Sequence, residues 1–183
     1  PKAMIRAFGA LVSQANTGDR SLLTLAMALP TEGDIADAMV LAGEVPDPVA
    51  VYEVRRHVMH VLASQWRAPL LELYNSLNSS LKTKPYSFNT TDVGSRSLKN
   101  VVLSYLVNSF GEDDESVSVL ALNQVLHSDN MTEMVGGLQA LTNLSSSAHR
   151  EEAFSQFYAR WKDEPLVMNK WFNIQAQSRR PDT

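Results

Sequence analysis

The 183-residue chain contains no cysteine. That absence excludes disulfides and thiolate metal sites, and with them a small secreted scaffold stapled by cross-links. No apolar run approaches the about 18 residues that a membrane-spanning helix needs, and the opening Pro1-Lys2-Ala3-Met4 lacks the architecture of a signal peptide. Membrane insertion is therefore not expected, and the cytoplasm or an organelle lumen is the expected compartment. Positive charge is also scarce: Lys and Arg number 16 against 20 Asp and Glu, for a formal net charge of -4. Binding a phosphate backbone requires a basic face, so a nucleic-acid partner is not expected. The nearest thing to a basic cluster, Ser178-Arg179-Arg180-Pro181, reads as a solvated tail.

Catalytic signatures are equally sparse. Gly-x-Ser-x-Gly and glycine-rich phosphate loops do not occur. Of the four histidines, His57, His60, His127 and His149, only His57-Val58-Met59-His60 brings two together in sequence. Spacing of three residues could share a metal, but Arg55-Arg56 beside the pair disfavours a cation. His149-Arg150-Glu151-Glu152 has a superficial likeness to a metallopeptidase helix, yet Arg stands second and no histidine follows; it reads as a charged helix start. The acids Glu112-Asp113-Asp114-Glu115 read as support for the positive end of a helix rather than as a divalent site. Gly136-Gly137 reads as a close contact between helices. The expectation is that the chain holds no catalytic, cofactor-binding or metal-binding residue.

The sequence is rich in helical periodicity. Hydrophobic residues make up 44% and charged residues 20%, ordinary values for a globular protein, and the length suits one domain with a sizeable core. Met4, Ile5, Phe8, Leu11 and Val12 form one stripe, which Asn16-Thr17-Gly18-Asp19 interrupts. Asp19 then opens a second helix that stops at Pro30. Thr31 and Asp34 resemble a capping box, and Asp47-Pro48 combines an N-cap with proline at the first helical position. A long pattern from Val51 to Leu77 should divide or kink near Ala68 because Pro69 removes a donor. Asn78 to Asn89 reads as the longest loop. Further helices carry Leu98 to Leu106, Val117 to Leu126, Met134 to Leu144 and Phe154 to Trp161, with Gly111 suited to a left-handed cap and Ser145-Ser146-Ser147 to a turn. Strand patterns are absent. Antiparallel helix pairs follow from this, and periodicity leaves open whether they close as a bundle or stack as a solenoid.

The last helical stretch, Leu166 to Gln177, is apolar around most of its circumference: Val167, Trp171 and Ile174 make one stripe, Met168 and Phe172 another. Such a helix should be enclosed, with both Trp171 and Phe172 buried. Four asparagines, Asn78, Asn89, Asn130 and Asn143, stand in glycosylation sequons. They would be acceptors only in a protein that enters a secretory route.

Leu166-Val167-Met168-Asn169-Lys170-Trp171-Phe172-Asn173-Ile174-Gln175-Ala176, preceded by Phe157-Tyr158-Ala159-Arg160-Trp161, resembles the C-terminal helical domain of the zinc aminopeptidase N (alanyl aminopeptidase) family. Leu29-Pro30-Thr31-Glu32, Asp47-Pro48, Arg96-Ser97-Leu98-Lys99-Asn100 and Asn130-Met131-Thr132-Glu133 match in the family's order. The resemblance implies an all-α fold without a sheet, in which antiparallel helix pairs stack as an armadillo-like superhelical array. It implies that residues 1–183 are a single helical domain, a fragment of the C-terminal domain of a larger enzyme. That enzyme would remove N-terminal residues from peptides with zinc-activated water, using a His-Glu-x-x-His helix, a further glutamate and a Gly-x-Met-x-Asn segment. None of these occurs here, so no catalytic, metal or substrate residue is carried over. The expected partners are an upstream catalytic domain, further C-terminal helices and the peptide substrates, and the free fragment is expected to self-associate. A free-standing helical-repeat scaffold that binds protein partners is the alternative, and a helical cofactor-binding domain a third.

Overall fold

Most of the helices begin where a short polar side chain satisfies a free N–H group. In the computed structural model, which describes residues 2–83, 85–145 and 147–180, ten helices and no strand occur among the described residues. They are α1 (Lys2–Ser13), α2 (Arg20–Met27), α3 (Glu32–Leu41), α4 (Pro48–Gln65), α5 (Arg67–Lys82), α6 (Thr90–Phe110), α7 (Glu115–His127), α8 (Met131–Leu141), α9 (Ala148–Trp161) and α10 (Pro165–Ala176). Pro1, Ser146 and Pro181 lie outside the described residues. Asp19 accepts from the backbone N–H groups of Ser21 and Leu22, and Asp47 does the same for Val49 and Ala50 with Pro48 at the first helical position. Thr31 and Asp34 form the expected capping box, in which the Asp34 carboxylate also accepts from the Thr31 backbone N–H at 2.8 Å.

Three boundaries differ from the sequence reading. α4 and α5 part at Trp66, three residues before Pro69; Trp66 leaves helical geometry at φ -121°, and Pro69 sits in the first turn of α5, where a missing N–H costs nothing. α5 continues to Lys82 because Leu77 is buried and Leu81 half-buried, so the loop to α6 is shorter than expected. Gly111 has φ -64°, a right-handed value, so it is not a left-handed cap. Crowding explains it instead, since a Cβ there would stand 2.7 Å from the Val107 carbonyl oxygen and 3.1 Å from Leu144 Cδ2.

The centre of the fold is α6 and not the last helix. Its 21 residues include eleven buried ones, and it packs against α2, α4, α5, α7 and α8. α10, by contrast, buries only Met168 and Ile174; Trp171 is half-buried, Phe172 is 59% exposed and Leu166 81%. The expectation that α10 is enclosed is thus corrected. α8 and α9 cover one of its sides. Trp171 is anchored at the rim, its indole N–H donating to the Phe154 carbonyl at 3.1 Å and its ring against Tyr158 and Phe172.

Two rows of helices result. α4, α6, α8 and α10 contact one another in succession, and α5, α7 and α9 back them as the return arms of the pairs. α1 and α2 cover the start of the array, with Phe8 against Tyr105 and the Tyr105 hydroxyl donating to the Met27 carbonyl at 2.7 Å. α3 buries no residue and rests on α4. No helix among the described residues is long and apolar enough to cross a membrane.

Candidate functional site

Two of the sequence motifs meet in space. Lys99 on α6 and Glu133 on α8 form an ion pair in which the lysine is 2% exposed and the glutamate 5%. Lys99 also donates to Asn78 Oδ1 at 3.1 Å and lies over the Tyr74 ring. Gln124 on α7 ties the same cluster together: its Nε2 donates to Asn100 Oδ1 and to the Glu133 carbonyl, both at 2.8 Å, while its Oε1 accepts from the Tyr74 hydroxyl at 3.2 Å. Burial pulls the Lys99 ammonium below the usual lysine range and Glu133 offsets part of that fall; burial pushes the Tyr74 hydroxyl up. A buried charge is tolerated only when paired and hydrogen-bonded, and this network achieves that for four helices at once. Arg96-Ser97-Leu98-Lys99-Asn100 and Asn130-Met131-Thr132-Glu133 are therefore joints of the scaffold. The glycine pair beside them has the same purpose. A Cβ on Gly136 would collide with the Asn100 amide, and one on Gly137 would come within 2.7 Å of Val125 Cγ2 and 2.9 Å of the Ala121 carbonyl oxygen.

The histidines do not converge. His57 and His127 are exposed; His60 Nδ1 lies 3.2 Å from the Ser109 carbonyl and its Nε2 3.3 Å from Ser64 Oγ. His149 pairs with Ser118 at 2.8 Å and approaches Glu115 at 3.5 Å. Among the described residues no group of three or more His, Asp or Glu side chains could hold a metal ion. In the acid run, Asp114 caps α7 and pairs with Arg67, and Glu112 accepts from the Ser145 backbone N–H at 2.6 Å. Each sequon asparagine is engaged as well. Asn89 and Asn130 cap α6 and α8, Asn78 binds Lys99, and Asn143 Oδ1 accepts from the Arg179 backbone N–H.

A cleft of about 410 Å³ runs along the row of even-numbered helices. α4 lines it with Tyr52, Arg55, Arg56 and Met59, α6 with Ser104 and Asn108, and α8 and its following turn with Gln139 and Asn143. The segment after α10 closes one side. Arg179 pairs with Glu32, its guanidinium stacks 4.7 Å from the Tyr52 ring centre, and Arg180 pairs with Glu151 at 3.3 Å. The expected solvated tail is thus corrected for its described residues, since Arg180 keeps only 10% of its side chain in solvent. No motif pointed to this cleft. The only sequence signals were adjacent arginine pairs at 55–56 and 179–180 in a chain with a net negative charge.

A family described as a domain of unknown function (DUF3458_C) built of ARM repeats matches residues 1–183. The chain belongs to this family. Among curated proteins it is 31% identical over 173 residues to aminopeptidase N of Caulobacter vibrioides, covering 94% of this chain and 18% of that protein. It is 29% identical over 160 residues to aminopeptidase N of Escherichia coli, covering 87% and 17%. Among solved structures, Legionella pneumophila aminopeptidase A in complex with aspartic acid superposes with a TM-score of 0.75 at 26% identity, over 97% of this chain and 20% of that one. The chain thus spans about a fifth of the length of the relatives it matches. The resemblance to the C-terminal helical domain of the aminopeptidase N family and the ARM-type helical array both hold.

Proposed function

We propose that this ARM-repeat chain is part of a larger zinc-dependent aminopeptidase, in which it walls the chamber where peptides lose their N-terminal residues and restricts access to it. The observation that carries the reading is the match of nearly the whole chain to a fifth of several aminopeptidases. Relatives of that length leave room for a separate catalytic domain, which would hold the zinc and whose bound metal would supply an activated water. The helix array contributes shape. A packed row of helices braced by the Lys99–Glu133 network is a stiff wall, and α6 running through its centre makes the cleft a fixed feature.

The catalytic domain is also the proposed cover for apolar surface left bare here. Val40, Leu41, Val45 and Val49 on the α3–α4 side, and Leu166 and Phe172 on α10, are each more than half exposed. Surface of this kind seeks a partner, so the isolated chain should self-associate. Light scattering across a concentration series reads this, and a strictly monomeric chain at about millimolar concentration contradicts it, because mass action drives association.

The test of function compares the product of the complete reading frame with the 183-residue chain on alanyl and arginyl amides. Chelator-sensitive turnover by the first and none by the second supports the reading. Failure of the first favours a free-standing scaffold that binds protein partners along its cleft.

A further inference from the structure

The cleft along α4, α6 and α8 concentrates positive charge in a chain whose net charge is negative. Four arginines, Arg55, Arg56, Arg179 and Arg180, line it against two glutamates, Glu32 and Glu112. These are not equivalent. Arg179 pairs with Glu32, and Arg180 shares the Glu151 carboxylate with Arg150, so both guanidinium groups of the segment after α10 are engaged in holding it in place. Glu112 accepts from the Ser145 backbone N–H and keeps its negative charge. Arg55 uses only its Nε, which donates to the Pro30 carbonyl at 2.7 Å, and Arg56 has no partner among the described residues. Two adjacent guanidinium groups therefore enter the cleft with their terminal N–H donors uncommitted.

The rest of the lining suits a peptide. Asn108 and Gln139 bring amide groups that can both donate and accept, and Met59 adds an apolar contact beside them. A guanidinium presents paired N–H donors in a plane that matches a carboxylate, and charge-assisted bonds of this type are the stronger ones. A neutral peptide could offer the Arg55 and Arg56 donors only carbonyl oxygens, without the opposite charge and the paired geometry of a carboxylate. We infer that the cleft binds the carboxylate of a peptide, with Arg55 and Arg56 as the carboxylate receptor. This rests on the proposed reading only in placing peptides within reach of the cleft.

Binding of N-acetylated peptides to the 183-residue chain, followed by calorimetry, tests the inference apart from any peptidase activity, because an acetylated N-terminus is not an aminopeptidase substrate. Four probes differ in one feature each: acetyl-tetraalanine with a free C-terminal carboxylate, its C-terminal amide, the amide with one internal Asp, and the amide with one internal Asn. The free-carboxylate peptide should bind at least about tenfold more tightly than its amide, the loss expected of one charge-assisted contact. Restoration by Asp but not Asn assigns the site to acidic side chains as well; no restoration assigns it to the peptide terminus, and either supports a carboxylate receptor. Arg56→Gln should weaken the free-carboxylate peptide about five- to tenfold and leave the amide unchanged, while Arg6→Gln on the exposed side of α1 should change neither. Arg56 has no partner to lose among the described residues, so this variant should unfold at the same denaturant concentration as the parent. Equal binding of carboxylate and amide, no binding of any probe, or an Arg56→Gln variant that binds as tightly as the parent overturns the inference. Binding that persists in an otherwise inactive full-length protein would reject the aminopeptidase reading and leave the carboxylate site standing.

Discussion

Breaking the Lys99–Glu133 pair should cost more than any other single change in the polar part of the core. Lys99 is 2% exposed and its ammonium already sits below the usual lysine range because burial penalises the charge. Removing the Glu133 charge leaves the ammonium with neutral partners only, Asn78 Oδ1 and the face of the Tyr74 ring among them. Loss of one partner of a buried pair costs about 3–5 kcal/mol, a large share of the about 5–15 kcal/mol that holds a domain together. Glu133→Gln and Lys99→Met should each lower the urea midpoint accordingly. The double variant Lys99→Met/Glu133→Leu should recover much of the loss, because it removes both charges and keeps the volume. The pH dependence gives a second signature. Without Glu133 the folded Lys99 pKa falls further below the unfolded value, so the unfolded chain binds more protons between the two, and stability must rise with pH across that window. Urea melts of Glu133→Gln between about pH 6 and 10 should show a deficit relative to the parent that shrinks as pH rises toward the lysine range. Losses under about 0.5 kcal/mol for both single variants, the value of an exposed pair, would refute the buried-network account.

Other perturbations follow from packing and capping. Gly137→Ala places a Cβ 2.7 Å from Val125 Cγ2 and 2.9 Å from a backbone oxygen, so α7 and α8 must separate and thermal unfolding should register a loss of about 1–3 kcal/mol. Phe157→Ala, at a position 2% exposed, should cost about 3–5 kcal/mol, whereas Phe172→Ala, at 59% exposed, should cost under about 1 kcal/mol in the same urea series; equal losses would return α10 to the core. The Asp34 carboxyl is held below the ordinary aspartate value of 3.8 by its hydrogen bonds to Thr31. A depressed carboxylate gives stability that is present above the unfolded pKa and lost as pH falls through the folded one, so amide protection in the first turn of α3, taken relative to the intrinsic exchange rate at each pH, should fall only below about pH 4, and Asp34→Asn should remove that dependence.

The helices were legible because their signals are local. Thr31 with Asp34 and Asp47 with Pro48 state a helix start within four residues, and both behave as their chemistry dictates. The glycine pair at 136–137 was also readable, since two adjacent glycines inside a helix serve little but close approach. The centre of the fold was hidden because α6 buries Asp92, Ser95, Arg96 and Lys99 beside its apolar residues, and a periodicity argument assigns such side chains to solvent. Their partners, Glu133 on α8 and Ser87 before α6 among them, come from other segments, which local spacing cannot reveal. α10 misled for the opposite reason. Its apolar circumference suggested enclosure, while in the fold only the side facing α8 and α9 is covered. The cleft was illegible for a third reason, since Arg55, Asn108, Gln139 and Arg179 come together only through stacking of alternate helices and the return of the chain after α10.

Peptidase activity resolved between the two proteins is the most direct measurement of the central claim. Purified product of the complete reading frame and the purified 183-residue chain should be assayed side by side for release of N-terminal residues from alanyl amides, each with zinc and with chelator. The expected result is chelator-sensitive hydrolysis by the longer protein and none by the chain at any zinc concentration, because no three His, Asp or Glu side chains converge among its described residues. Zinc-dependent turnover by the 183-residue chain alone would contradict it.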